Sequence, residues 1–448
     1  MIHPLTTLLS LSPLLSAAAA SSSSSSQANI YATHYNGNVY ALSLTQRHND
    51  AYKLDLVSSL KACGPMPSWL TVDPDLHLLY CSDETGDPKT NGSVSTLSIS
   101  DKGGSLKEIT TTEVPGGGVH SVIYGGEDGK RYLAIAHYGG ASLSTYTLPL
   151  TPHSEPHQYI PYKLSTPSPN PQQAISHPHQ VLLDPTNTYI ISPDLGADEI
   201  RIYAIQKSTG KLSPCPSIGG FPRGAGPRHA VFWTPPASLS RFAPVGHVPG
   251  GEGQTTLYTV NELNGRMNAY EVVYPAASGS SSGDDDEEEE KEKRGDDEEG
   301  EEQCPTFKHI QSFVPYPDET LPEGATLSAV VAAGSNIYVS IRTDQAFAPN
   351  DSVVTLSRAE DGTVKVEDLV SSGGKVPRTM AVNREGNLML VGDQSSARVV
   401  VLERDVKSGE LGAVVASLDV GEEGEVGTAE GDKYEKANTK MPPLVYIE

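Results

Sequence analysis

Three short segments carry residues of the types that small-molecule chemistry uses. They are His177-Pro178-His179, Gly226-Pro227-Arg228-His229 and Asn261-Glu262-Leu263, and each stands at the edge of a short apolar, strand-like run. An imidazole at His179 takes a proton near neutral pH or, once protonated, binds a carboxylate, and His177 is close enough in sequence to serve instead. The planar guanidinium of Arg228 suits a carboxylate or phosphate, and His229 either orients it or packs beside it. Glu262 serves as an acid or base, or orients Arg228; a neighbouring arginine lowers its pKa and burial raises it. Arg342, in Ser340-Ile341-Arg342-Thr343-Asp344, occupies a matching edge farther along and would make the same region attractive to anions. Asp194 and Asp393 sit at run ends, where they orient other groups or cap turns. His120 and His137 are candidates for the rim of a channel, with Tyr138 and Asn264 as weaker ones. Each of these residues also has a purely structural reading: a core imidazole, an ion pair between sheets or a turn cap.

The elements that must position these groups form one repeated pattern. A short β run, a turn rich in Asp, Pro, Asn or Gly, and a second β run recur about every 45–60 residues. Copies start at Trp69, His120, His179, Arg228, Leu327 and Thr379, and most continue into a third run, such as Glu199 to Ile205 or Ala397 to Glu403. The opening stretch, Ile30 to Ala32 and then Asn38 to Leu42, reads as the middle and outer part of a seventh copy. The last residues, Leu444-Val445-Tyr446-Ile447, contain a strand-like run to complete it. The pattern predicts an all-β, seven-bladed β-propeller closed by its two ends, with two sandwiched β domains as the alternative. No long amphipathic helix is expected. In a propeller the first strand of each blade lines the central channel, so residues far apart in sequence converge on one small ligand.

Composition narrows the function classes. Of 448 residues, 32 are Lys or Arg and 56 are Asp or Glu, a formal charge of −24. Phosphate-backbone binding needs a basic surface, so a nucleic-acid partner is not expected. Asp284 to Glu302 holds 14 acidic and 3 basic residues; a stretch this acidic repels itself and is expected to be a solvated, disordered insertion spanning about 278–303. Residues 1–20 read as a signal peptide with an apolar region over 5–20, and 21–28 as a polar linker ahead of a single domain over 29–448. The mature protein is then secreted or extracellular, with a cytoplasmic location as the alternative, free of the membrane and a monomer. Cys63, Cys81, Cys215 and Cys304 permit disulfides; Cys63–Cys81 is plausible because both flank one strand-turn unit, although spacing alone does not fix the pairing. Asn91-Gly92-Ser93 and Asn350-Asp351-Ser352 are glycosylation sequons. A phosphate loop, a dinucleotide fingerprint, a serine-nucleophile elbow and a dense Cys/His metal site are all missing from the sequence, so neither cofactor nor metal is expected.

Several motifs, taken in order, resemble one family. His177-Pro178-His179-Gln180-Val181 through Asp184-Pro185, Pro193 to Asp198, Gly226-Pro227-Arg228-His229, Asn261-Glu262-Leu263 and Gly374-Lys375-Val376-Pro377-Arg378 are similar to segments of the lactonase family of seven-bladed β-propellers. That family includes bacterial 6-phosphogluconolactonases and fungal carboxy-cis,cis-muconate cyclases, and the resemblance covers roughly residues 29 to 420. For the cyclases it implies an active-site set of one histidine, two arginines and one glutamate, which falls on His179, Arg228, Arg342 and Glu262. The family's Ser-Asn-Arg-like segment here reads Ser340-Ile341-Arg342, and its late Ala-Asn-Gln-like segment reads Gly392-Asp393-Gln394. The resemblance implies a lactonase or lactonizing cyclase acting on a small carboxylated or sugar-acid lactone. The alternatives are a secreted propeller that binds a small anion or a protein without turnover, and a structural interaction platform.

Overall fold

The computed structural model describes residues 27–47, 51–100, 103–126, 129–164, 166, 168, 170–235, 254–275, 303–424 and 445–447. The signal-peptide reading, the acidic insertion and most of the Pro/Gly-rich segment after Phe232 lie outside the described residues. Seven four-stranded antiparallel sheets account for the regular structure, the architecture that the repeat predicts. In six sheets the strands follow chain order from one edge to the other, as in Pro67–Asp73, Leu78–Asp83, Asn91–Ile99 and Leu106–Pro115. The seventh joins the two ends of the chain. Val445–Ile447 pairs with Gln27–His34, which continues into Asn38–Gln46 and Tyr52–Lys61. The first strand begins at Gln27, slightly inside the stretch read as linker. Short 3-10 turns at Pro171–Gln173 and Pro317–Glu319 are the helical elements among the described residues. None is long and apolar enough to cross a membrane.

Alternating apolar residues cover both faces of the middle strands, so each sheet packs against its neighbours and the core is divided among the interfaces between blades. One cluster joins Tyr258, Val260 and Met267 of one blade to Leu327, Val339 and Val354 of the next. Another joins Ile30 and Leu42 to Leu390 and Val401, sealing the last blade against the first. Fully buried tyrosines tie neighbours together by their polar ends. Tyr124 donates to the Gly210 carbonyl at 2.7 Å, Tyr258 to Gly362 at 2.7 Å and Tyr338 to Gly409 at 2.6 Å. Disulfides join Cys63 to Cys81 and Cys215 to Cys304. Each links one blade to the next, the second tying the outer strand Leu212–Ile218 to the start of Thr306–Phe313.

Candidate functional site

Two structurally equivalent positions, repeated from blade to blade, build one pocket. In an antiparallel hairpin the start of the inner strand faces the end of the second strand, so both lie at the same rim. At that rim the inner strands carry one extra residue. Pro227 pairs with Asn261 and His229 with Val260, leaving Arg228 as the bulge. Pro377 pairs with Asp393 and Thr379 with Gly392, leaving Arg378. Pro178 bridges Asp194 and Leu182 pairs with Ile191, so a residue is extra there too, and His179 stands next after the proline. A bulge turns its side chain away from the regular alternation, and a proline at the first residue of a strand removes an N–H the ladder does not need. The second position is the residue just past the end of the second strand. It holds Tyr35, Glu84, Tyr138, Glu262 and Gln394 in different blades. All of these residues line a cavity of about 490 Å3, together with His177 and Arg342, the latter the last residue of its own second strand.

The backbone around Arg228 is held by the preceding blade. Asp198 accepts hydrogen bonds from the amides of Gly224 and Gly226, each at 2.8 Å. Gly226 has φ +66°, and a Cβ there would stand 2.5 Å from Leu263 Cγ, so both conformation and space require glycine.

Glu262 is clamped between two arginines. Its carboxylate oxygens form ion pairs with both, Oε2 lying 2.9 Å from Arg228 Nε and Oε1 2.6 Å from Arg342 Nη2. All three side chains are buried, Arg228 almost completely, and Arg228 Nη1 also donates to the Ser328 carbonyl at 2.8 Å. Burial pushes the Glu262 pKa up, but the charges of Arg342 and Arg228 outweigh it and hold the carboxyl below its ordinary value. Across the cavity, Arg378 Nη2 lies 3.2 Å from Glu84 Oε2, and Tyr35 donates its hydroxyl to the same carboxylate oxygen. The Arg378 guanidinium also faces the Tyr35 ring, 5.7 Å from its centre.

His179 forms part of the wall between these pairs. Its Nδ1 is buried without a partner in another residue. Burial, reinforced by the charge of Arg228, drives its pKa well below the ordinary histidine value, so the ring is neutral at neutral pH. Tyr138 meets His179 edge-on at 5.5 Å and stacks on His177 at 4.2 Å. His177 is fixed further by its Nδ1 contact with the Tyr138 carbonyl at 2.8 Å, and its amide donates to Asp194. Asp194 also binds Arg201 at 2.9 Å and accepts from the Gly196 and Ala197 amides, so it organises the loop beside the cavity. His229 packs against His179 with ring centres 5.2 Å apart, and His120 stacks on Trp69 at 3.6 Å while meeting His229 at 5.9 Å. This group of rings adjoins His179 without lining the cavity.

The sequence-predicted set His179, Arg228, Glu262 and Arg342 therefore comes together. Of the other candidates, His177 and Tyr138 line the cavity too, whereas His120, His137, His229, Asp194, Asn264 and Asp393 are not among its lining residues. His137 is fully buried, with Nε2 2.7 Å from Ser144 Oγ. Asn264 shapes a turn by accepting the Arg266 amide. Asp393 is a buried end residue of its strand, and burial raises its pKa well above the usual carboxylate range. Arg378, Glu84, Tyr35 and Gln394 were not singled out from the sequence as site residues. One signal for Arg378 was present: Pro377-Arg378 repeats the dipeptide Pro227-Arg228 at the start of an inner strand. A larger groove of about 630 Å3 lies elsewhere, lined by Asp87, Glu113, Glu155 and Tyr159 among others; the described residues that line it include neither arginine nor lysine. Among the described residues no group of three or more His, Cys, Asp or Glu is placed to hold a metal ion.

Comparison with known proteins agrees with this architecture. The family model described as "Lactonase, 7-bladed beta-propeller" matches residues 29–281 and 298–427. A protein of Arthroderma benhamiae named "Probable 6-phosphogluconolactonase" is 26% identical over 351 residues, covering 77% of this chain and 75% of that protein. The 6-phosphogluconolactonase of Formosa agariphila is 26% identical over 349 residues, covering 77% of this chain and 83% of its own length. Among solved structures, the periplasmic gluconolactonase of Pseudomonas aeruginosa superposes with a TM-score of 0.60 at 21% identity, covering 88% of this chain and 97% of that one.

Proposed function

Because this chain belongs to the lactonase family of seven-bladed β-propellers, we propose that it opens the lactone ring of a small sugar acid or carboxylated acid by hydrolysis. The observation that carries this reading is the clamp of Glu262 between Arg228 and Arg342, with the imidazole of His179 lining the same cavity. Water adds to the lactone carbonyl, and a neutral His179 accepts its proton. Arg228 and Arg342 supply fixed positive charge for the oxyanion that forms on the carbonyl oxygen. When the ring C–O bond breaks, the imidazolium returns its proton to the departing alkoxide, and a hydroxy acid results. Glu262, with both oxygens engaged by arginines and its pKa held down, stays ionised and positions the two guanidinium groups. The same groups serve the reverse, ring-forming direction. The names of the relatives point to sugar-acid lactones as the first substrates to try.

The test is proton release by the mature protein across a lactone panel that includes 6-phosphogluconolactone and carboxymuconolactone, with Arg228→Ala as control. Turnover that is lost in the variant supports the assignment. Absence of turnover across the panel, with tight anion binding intact, would replace it with a binding protein. We also propose that the protein works outside the cytoplasm, on the apolar run at residues 5–20 and the two disulfides that join blades. Recovery of cleaved, oxidised protein from culture medium is the expected outcome, and retention in the reducing cytoplasm would refute it.

A further inference from the structure

The charge inventory of the cavity narrows the substrate class. Its lining contains the cations Arg228, Arg342 and Arg378, and the anions Glu84 and Glu262. Each arginine has a carboxylate partner: Arg228 and Arg342 share Glu262, and Arg378 has Glu84. Three positive charges against two negative leave one net positive charge, and it belongs to the Glu262 clamp. The opposite wall, Arg378 with Glu84 and Tyr35, is neutral as a unit.

A phosphate dianion at that wall would confront the Glu84 carboxylate, and among the described residues that line the cavity there is no second unbalanced cation to offset it. A hydroxylated chain fits better. Glu84 accepts from a hydroxyl, Arg378 donates to one, and the Tyr35 ring covers a C–H face. The clamp then receives the one charge that develops on ring opening and persists in the product carboxylate. We infer that the substrate is an unphosphorylated, polyhydroxylated lactone whose product carries a single negative charge, and that Glu84 is the residue that discriminates against phosphate. This deepens the lactonase proposal and rests on it for the reaction, but the selectivity itself is read from equilibrium binding.

The experiment is calorimetric titration of the full-length folded protein with gluconate and with 6-phosphogluconate, repeated for Glu84→Gln and Glu84→Asp. Thermal melts confirm that each variant is folded. The wild-type protein is expected to bind gluconate at least as tightly as 6-phosphogluconate. Glu84→Gln shifts the affinity ratio toward 6-phosphogluconate by about tenfold, the order expected for removing one opposing charge at a partly exposed site. Glu84→Asp, which keeps the charge, holds the ratio near the wild-type value. Tighter wild-type binding of 6-phosphogluconate by tenfold or more overturns the inference. So does an unchanged ratio in Glu84→Gln, or binding of neither ligand at millimolar concentration. Turnover on the lactone panel is measured separately, so failure of the selectivity and failure of the lactonase assignment give different patterns.

Discussion

Replacing Glu262 with glutamine changes one charge and almost no volume, and the structure fixes what should follow. The carboxylate lies 2.9 Å from Arg228 Nε and 2.6 Å from Arg342 Nη2, with all three side chains largely buried. At a separation of about 4 Å between charge centres and an effective dielectric of about 20, each pair contributes roughly 4 kcal/mol of attraction. Removing the shared anion leaves two buried cations facing one another without compensation. Breaking a buried ion pair from one side costs about 3–5 kcal/mol, because the remaining charge is left unpaired in a poor solvent. For a domain of this size that corresponds to a fall in Tm of about 4–6 °C, at roughly 1.2 °C per kcal/mol. The same change raises the net charge of the cavity lining by one, so a small anion should bind more tightly while turnover falls. Thermal unfolding and titration with a sugar-acid anion measure the two effects on the same sample. A Glu262→Gln variant that melts with the wild type and binds the anion no better would refute the clamp as described.

Further outcomes follow from other parts of the structure. His179→Ala should lower kcat by about 10²–10⁴-fold with KM changed only a few fold, as expected for loss of a general base; an equal loss confined to KM would make His179 a binding residue only. Acid should destabilise the fold early, because His120 and His137 are buried with pKa values pushed down to about 3, primarily by burial. The unfolded chain takes up those protons near pH 6.5 and the folded one does not, so their contribution is intact above pH 6.5 and declines as pH falls toward 3, by about 1.4 kcal/mol per pH unit for each. Denaturant titrations from pH 7 to pH 4 check the slope, and a flat profile would contradict neutral burial. Replacing Cys215 and Cys304 together by serine opens a link across 89 residues and should cost about 2–5 kcal/mol. Ligand affinity at the distant cavity should persist in that variant, and a loss of affinity equal to the loss of stability would show that the blade is needed to hold the site.

Much of the fold was legible because each blade must bury both faces of its middle strands. That requirement writes the same strand-turn-strand pattern into the chain from Trp69 to Gly392, and the terminal run Leu444 to Ile447 was recognisable as the missing strand of the first blade. His179, Arg228, Glu262 and Arg342 were legible because a charged or titratable group at a strand edge stands out against apolar neighbours. Glu84 did not, although it follows Asp83 as Glu262 follows Asn261. Its partner Arg378 is 294 residues away, and only closure of the ring brings the two together, with Tyr35 of the first blade alongside. His137 misled for the converse reason. It occupies the last position of its second strand, a rim position in sequence terms, yet its ring turns away from the cavity to Ser144 of the third strand. Strand register, set by the inner-strand bulges, decides which rim residues enter the cavity, and bulges leave little trace in a single sequence beyond the recurrent proline before Arg228, Arg378 and His179.

The measurement closest to the central claim is the rate of acid release from glucono-1,5-lactone by the purified protein at constant pH, above the spontaneous rate, with His179→Ala measured alongside. Saturable turnover that drops at least about 100-fold in the variant is the predicted result. A wild-type rate equal to the spontaneous one, or a variant as active as the wild type, would contradict the assignment of this cavity as the site of lactone opening.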